Sequence, residues 1–115
     1  MIDVKNLSKV TVFINNIARD INFCLCYTAH CKDQMTKRGI TTLDIMYILK
    51  TGRVDQYQGK GEHPTDKNIH RYKMVGTCVS RDTGREIGVV LLVSVDSHSI
   101  PAIKIKEIVT AMWQD

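Results

Sequence analysis

The sequence contains no apolar run that approaches the roughly 18 residues a membrane-spanning helix needs. Its first residues, Met-Ile-Asp-Val-Lys, also lack the apolar core of a signal peptide. It has no internal repeat, no low-complexity tract and no linker-like segment. We therefore expect a cytoplasmic protein that makes no membrane contact and folds as a single domain over residues 1–115.

The usual motifs of metal and nucleotide sites are missing as well. The four cysteines, at positions 24, 26, 31 and 78, form no Cys-x-x-Cys pair. The glycines near position 60 do not fit the Walker pattern. We expect free thiols in a reducing compartment, with no metal and no cofactor. A metal cluster of Cys24, Cys26, His30 and Cys31 is the alternative.

Hydrophobic periodicity predicts helices first and strands afterwards. Helical spacing covers residues 8–21, 29–38 and 42–51. Alternation predicts a half-buried strand over 22–28, or else a continuation of the first helix. Further strands are predicted over residues 54–58, 69–80, 86–95 and 102–113, with a mobile loop over 59–68. The order predicts an α+β domain with N-terminal helices packed on one face of a sheet of three or four antiparallel strands, whose other face is free as a working surface.

Two helices are expected to meet at a tight corner around residue 39. Gly39 suits the left-handed position that ends a helix, and Thr41 with Asp44 forms a capping-box pattern. At about 100° per residue, Arg38 leaves the first of these helices on its apolar side. It could reach over the rim of the packed surface towards a ligand, or it could bury its stem and leave only its head in water.

Basic residues recur on the predicted strands. Alternation places Arg71 and Lys73 on one face, and His70 on the other. Lys104 and Lys106 are predicted to share a face of the last strand. Together with Arg81 and Arg85 at a hairpin tip, and with the net charge of +4, they would form a positive surface for a phosphate backbone. The alternative is that they are the solvated side of a half-exposed sheet.

Such residues could cleave RNA without a metal. The reaction needs a base for the 2′-hydroxyl proton, cations for the phosphate and an acid for the leaving oxygen. Histidine can take either proton role, and arginine can hold the phosphate with paired donors. The candidates for these tasks are His30, His70 and His98 for the protons and Arg38, Arg71, Arg81 and Arg85 for the phosphate.

Several segments resemble the small domains grouped with BrnT-type toxins in the wider RelE-like ribonuclease superfamily. They are Thr28-Ala29-His30, the Arg38-Gly39-Ile40 corner, Gly52-Arg53-Val54 and the last strand with Val109-Thr110. The resemblance covers residues 24–113 and leaves the helix over 8–21 as an addition. It implies a RelE-like fold, mRNA cleavage and inhibition by a partner protein. It points to His30 and Arg38, and to the strand around Arg71 and Lys73.

The sequence therefore predicts a toxin-like, metal-independent endoribonuclease or an RNA-binding relative of one. The expected catalytic residues are His30, Arg38, His70, Arg71 and Lys73, and the expected nucleic-acid-binding residues are Lys37, Arg81, Arg85, Lys104 and Lys106. RNA is the expected partner, with a cognate antitoxin or another protein, or a second copy through the N-terminal helix, as further partners. The alternative is a non-catalytic phage or mobile-element protein that blocks a nucleic acid or a nucleic-acid-handling protein.

Overall fold

The computed structural model describes residues 3–20, 23–62, 68–77, 84–95 and 103–114. The helices are α1 (Leu7–Ala18), α2 (Ala29–Arg38) and α3 (Thr42–Thr51). The strands are β1 (Arg53–Lys60), β2 (Ile69–Thr77), β3 (Glu86–Val95) and β4 (Ile103–Trp113). All neighbours in the sheet are antiparallel, in the order β1-β2-β3-β4. The predicted α+β fold, with its helices before its strands, is confirmed.

Local capping explains where α2 and α3 begin and end. The Thr28 side chain accepts a hydrogen bond from the Cys31 N–H, and Gly39 ends α2 with φ of 67°. The Asp44 carboxylate accepts from the backbone N–H of Thr41 at 2.9 Å, and the Thr41 hydroxyl oxygen accepts from the Asp44 N–H. The predicted corner between two helices is therefore present, and its capping box is complete.

The helices cover one face of the sheet. The core residues of the central strand β3 on that face are Ile87, Val89, Leu91 and Val93, and each is fully buried. The opposite face is called here the helix-free face. Its positions include Arg71 opposite Leu92 and Lys73 opposite Val90, as the strand register shows. β3 is buried on both faces, as its unbroken apolar sequence predicts.

The prediction of a strand over residues 22–28 is wrong. Within the described part of this segment, Tyr27 forms an isolated parallel bridge to Ile108. The Ile108 N–H donates to the Cys26 carbonyl at 2.8 Å, and the Thr28 N–H donates to the Ile108 carbonyl at 3.0 Å. The chain then leaves the sheet, because Thr28 is already the N-cap of α2. A continuation of the first helix is also wrong, since α1 ends at Ala18.

The remaining boundaries differ from the predictions by a few residues. β1 extends to Lys60, so the predicted loop loses its first two residues to a strand. Residues 63–67 of that loop, residues 78–80 of the predicted second strand and residue 102 lie outside the described residues. In the described part of the chain, no helix has the length and apolar character required to cross a membrane.

Candidate functional site

Tyr57 of β1 and His70 of β2 form a hydrogen-bonded pair on the helix side of the sheet. The Tyr57 Oη lies 2.8 Å from His70 Nδ1, and the ring centroids are 5.7 Å apart. Lys60 stands directly opposite His70 in the strand register. The Tyr57 ring also packs against Tyr72, with 5.3 Å between centroids. A phenol, an imidazole and an ammonium group thus share one end of the β1–β2 pair.

The surroundings of His70 favour its neutral imidazole over the protonated form. Burial lowers the pKa of His70 below its ordinary value, and the positive charge of Lys60 lowers it further. Below this pair, the fully buried Tyr72 donates its hydroxyl to the Val4 carbonyl at 2.6 Å. Burial raises the pKa of Tyr72, so this donor stays protonated. The Tyr57–His70 pair therefore lies next to Tyr72, a buried side chain that is uncharged and held by a hydrogen bond.

Arg38 is bound to the backbone of β4. Its Nη1 donates to the Ala111 carbonyl at 2.6 Å, and Trp113 Nε1 donates to the Arg38 carbonyl at 2.8 Å. In the strand register, Ala111 of β4 lies in line with Met74 of β2, with β3 between them. Met74 is four residues after His70 on β2. Four residues at about 3.3 Å each and two strand spacings of about 4.8 Å give roughly 16 Å between His70 and Ala111, whose carbonyl binds Arg38. The structure does not bring Arg38 and His70 into one site.

His30 stands apart from both. It is exposed in the first turn of α2, whereas Arg38 is the last residue of that helix. Eight residues of helix separate them by about 12 Å. Lys37 is also exposed and lies 3.0 Å from Asp33, one turn earlier. The predicted catalytic residues on α2 therefore do not converge with those on the sheet.

The predicted division of β2 into two faces is confirmed. Arg71 and Lys73 face away from the helices, on the side opposite His70. Arg71 Nε donates to Gln58 Oε1 at 3.1 Å. The end of the Lys73 stem lies over Gly88. These two cations belong to the helix-free face and cannot contact a phosphate together with His70 on the helix side.

The described residues of the predicted basic surface lie in different settings. Lys104 lies on the helix-free face opposite Ser94, but Lys106 is the extra residue of a β-bulge, and Glu107 takes the place opposite Leu92. That the two lysines share a face stays a prediction. The Arg85 guanidinium lies 4.0 Å from the centre of the Trp113 ring, near the end of α2. Arg81 and His98 lie outside the described residues.

Metal-binding geometry is missing from the described residues, which contain no group of three or more histidine, cysteine or acidic side chains able to hold an ion. Cys24 and Cys26 are exposed free thiols, while Cys31 is buried. Burial raises the pKa of the Cys31 thiol, which favours the protonated form over a metal-binding thiolate. The alternative of a cluster at these positions gains no support.

Sequence reasoning missed Tyr57 and Lys60. Tyr57 sits at an alternating position of a short predicted strand, and Lys60 falls in the predicted loop over residues 59–68. Their approach to His70 depends on two irregularities in the β1–β2 register, between Val54 and Gln56 and between Tyr57 and Lys60. No local sequence signal fixes such a register.

Fold and site together define an α+β domain in which helices cover one face of an open antiparallel sheet and a histidine–tyrosine pair occupies one end of it. Residues 27–113 match the family model described as a domain of unknown function, DUF4258. Because this match spans most of the chain, the protein belongs to the DUF4258 family. No curated protein and no solved structure matches the chain. The matched range starts just before α2, so α1 lies outside it.

Proposed function

We propose that the protein is a toxin-like, metal-independent endoribonuclease of the cytoplasm, with His70 as its proton-transfer residue. The observation that carries this proposal is the 2.8 Å hydrogen bond between Tyr57 Oη and His70 Nδ1, with Lys60 across the strand pair. This arrangement brings together a neutral base in His70, a second proton carrier in Tyr57 and a cation in Lys60. The resemblance to BrnT-type toxins supports RNA as the substrate.

The proposed reaction is attack of a ribose 2′-oxygen on the adjacent phosphorus. In the tautomer with its proton on Nδ1, His70 donates to the Tyr57 oxygen, and Nε2 is free to accept the 2′-hydroxyl proton. The Lys60 ammonium stabilises the charge that develops on the phosphate. As the phosphorus–5′-oxygen bond breaks, Tyr57 gives its proton to the leaving oxygen and is reprotonated from His70 Nδ1. The products are a 2′,3′-cyclic phosphate and a 5′-hydroxyl end.

The test is cleavage of a mixed-sequence labelled RNA by the purified protein in the presence of EDTA. Cleavage should persist with EDTA and give cyclic phosphate ends. His70→Ala should lower the rate by about 100-fold or more, the usual scale for a lost general base. His30→Ala is the matched control, since it is the same change at an exposed helix position, and it should retain the wild-type rate.

Two results would go against the proposal. If the folded wild type leaves RNA intact at high concentration, the protein is not an endoribonuclease. If it cleaves RNA but His70→Ala and His30→Ala behave alike, the activity is real and the assigned site is wrong. Circular dichroism and thermal unfolding of each variant separate loss of chemistry from loss of fold.

A second candidate function is RNA binding without cleavage, which would block the nucleic acid. The observation that favours it is the placement of Arg71, Lys73 and Lys104 on the helix-free face, away from the packed helices. Replacing Arg71 and Lys73 by glutamine should then reduce the slope of log affinity for RNA against log salt concentration by about the amount expected for two lost phosphate contacts. His70→Ala should leave this binding unchanged. If the double variant binds as the wild type does, at every salt concentration, this candidate fails.

A further inference from the structure

A cleft of about 410 Å³ lies where α2 turns into α3. We call it the corner cleft. Met35 and Ile40 lie in it and are 7% and 4% exposed, so they offer an apolar floor. Tyr27, Lys32 and Thr42 also line it. Burial raises the pKa of Tyr27 to about 12, with a smaller contribution from Cys31, so the Tyr27 hydroxyl is a neutral donor.

The outer side of α3 leads from this cleft to a second one. Leu43, Tyr47 and Thr51 are spaced four residues apart and so share one side of the helix. Leu43 is 74% exposed and Tyr47 is 40% exposed. Tyr47 and Thr51 line the second cleft, of about 290 Å³, together with Gly52, Arg53 and Glu86. From Thr42 to Thr51 the helix rises by about 14 Å. We call the two clefts and the residues between them the α3 outer surface.

The charged groups near this surface are mostly paired or buried. Asp33 lies 3.0 Å from Lys37, and Glu86 lies 3.7 Å from Arg53. Asp44, at the start of α3, is fully buried in the capping box. By contrast, among the described residues Lys32 makes no ion pair. A ligand at the corner cleft therefore meets an ammonium group beside an apolar floor.

We propose that the α3 outer surface binds an acidic segment of a protein partner that carries two apolar side chains. An exposed leucine between two clefts is typical of a protein-binding surface, where apolar anchors enter pockets and charges lie at the rim. An extended segment covers the roughly 14 Å rise of α3 in about four steps, which also keeps both side chains on one face, so the two anchors are about four residues apart. The acidic residue pairs with Lys32. A nucleic acid is disfavoured, because Leu43, Met35 and Ile40 offer it no hydrogen-bond donor.

This proposal is independent of the ribonuclease proposal, since the two share no residue. Its test selects random-sequence peptides displayed on phage against the full-length protein, and then measures the enriched peptides in solution by titration. Lys32→Glu removes an attraction and adds a repulsion, so it should weaken the acidic peptides by about tenfold. Leu43→Ser should weaken them by at least about fivefold, the scale of a lost apolar anchor.

The matched controls lie on α1, and neither of them lines the two clefts. Lys9→Glu makes the same charge change at another exposed lysine, and Val12→Ser removes another exposed apolar side chain. Both should bind the peptides as the wild type does. The expected result is enrichment of acidic peptides with two spaced apolar residues, together with the losses at Lys32 and Leu43.

Three outcomes would overturn the proposal. One is the absence of any enriched peptide, and another is enrichment of peptides that Lys32→Glu binds as well as the wild type. The third is a dimer, seen by sedimentation, that Leu43→Ser dissociates, because a second copy would then be the occupant. The substituted side chains at both positions are exposed or at a rim, so the variants should fold, and their unfolding temperatures check this.

Discussion

Replacing Arg38 by methionine should destabilise the fold and leave RNA cleavage per folded molecule unchanged. The guanidinium donates to the Ala111 carbonyl at 2.6 Å, and a hydrogen bond to a charged donor is worth about 1.5 to 3 kcal/mol. Methionine keeps an apolar stem of similar length against α2's packed side, so the loss is mainly that bond. The bond from Trp113 Nε1 goes to the backbone carbonyl of Arg38 and should survive the change.

Urea and thermal unfolding measure the effect. For a chain of this length, a loss of 1.5 to 3 kcal/mol lowers the melting temperature by roughly 6 to 12 °C. Lys37→Met is the control, because its exposed pair with Asp33 is worth at most about 0.5 kcal/mol. A variant at Arg38 that melts like the wild type but no longer cleaves RNA would refute the reasoning and restore Arg38 as a catalytic residue.

Two further changes test the packing and the histidine. Gly52→Ala should cost about 3 kcal/mol in urea unfolding, because the new Cβ would lie 2.6 Å from the Ile48 carbonyl oxygen and 2.7 Å from that of Val75. Gly88→Ala meets only the ends of movable side chains and should cost far less; equal losses would contradict this account. The pKa of His70 is lower in the folded protein than in the unfolded chain. As the pH falls through about 6.5, the unfolded chain therefore binds the proton first. Stability should therefore be complete above that pH and decline below it, and the decline should be smaller in His70→Gln; an identical decline in both proteins would count against the assignment.

The elements that sequence predicted best carry their own local signals. The end of α2 at Gly39 and the start of α3 at Thr41 depend on caps within four residues, and both were found. The segment before α2 shows the limit of such reasoning. Its alternation is real, since Phe23 and Leu25 are half-buried and Cys24 is exposed. Burial alternates along any extended segment that lies beside a core. A β-strand also needs backbone pairing with a neighbouring strand, and this segment forms only a single bridge.

The same distinction explains the candidate site. The two faces of β2 were predicted correctly because its register with β3 runs unbroken from Ile69 to Thr77. β1 and β4 contain bulges, and each bulge resets the alternation beyond it. The approach of Tyr57 and Lys60 to His70, and the position of Lys106, therefore depend on backbone irregularities that side-chain pattern does not report.

The two edges of the sheet are protected by different means, and this decides where a ligand can reach the site. On β4, the backbone of Ile108 bonds to the segment before α2, the Val109 carbonyl accepts from the Thr28 hydroxyl at 3.0 Å, and Arg38 covers Ala111. On β1, the Val54 N–H donates to the Thr11 hydroxyl of α1 at 2.8 Å. This cover comes from α1, which lies outside the range matched by the family model. Beyond it, β1 is bulged and polar, which discourages pairing with other strands. Among the described residues at that end, Lys60 is exposed, and Tyr57 and His70 are half-buried, so each presents part of its side chain to a ligand.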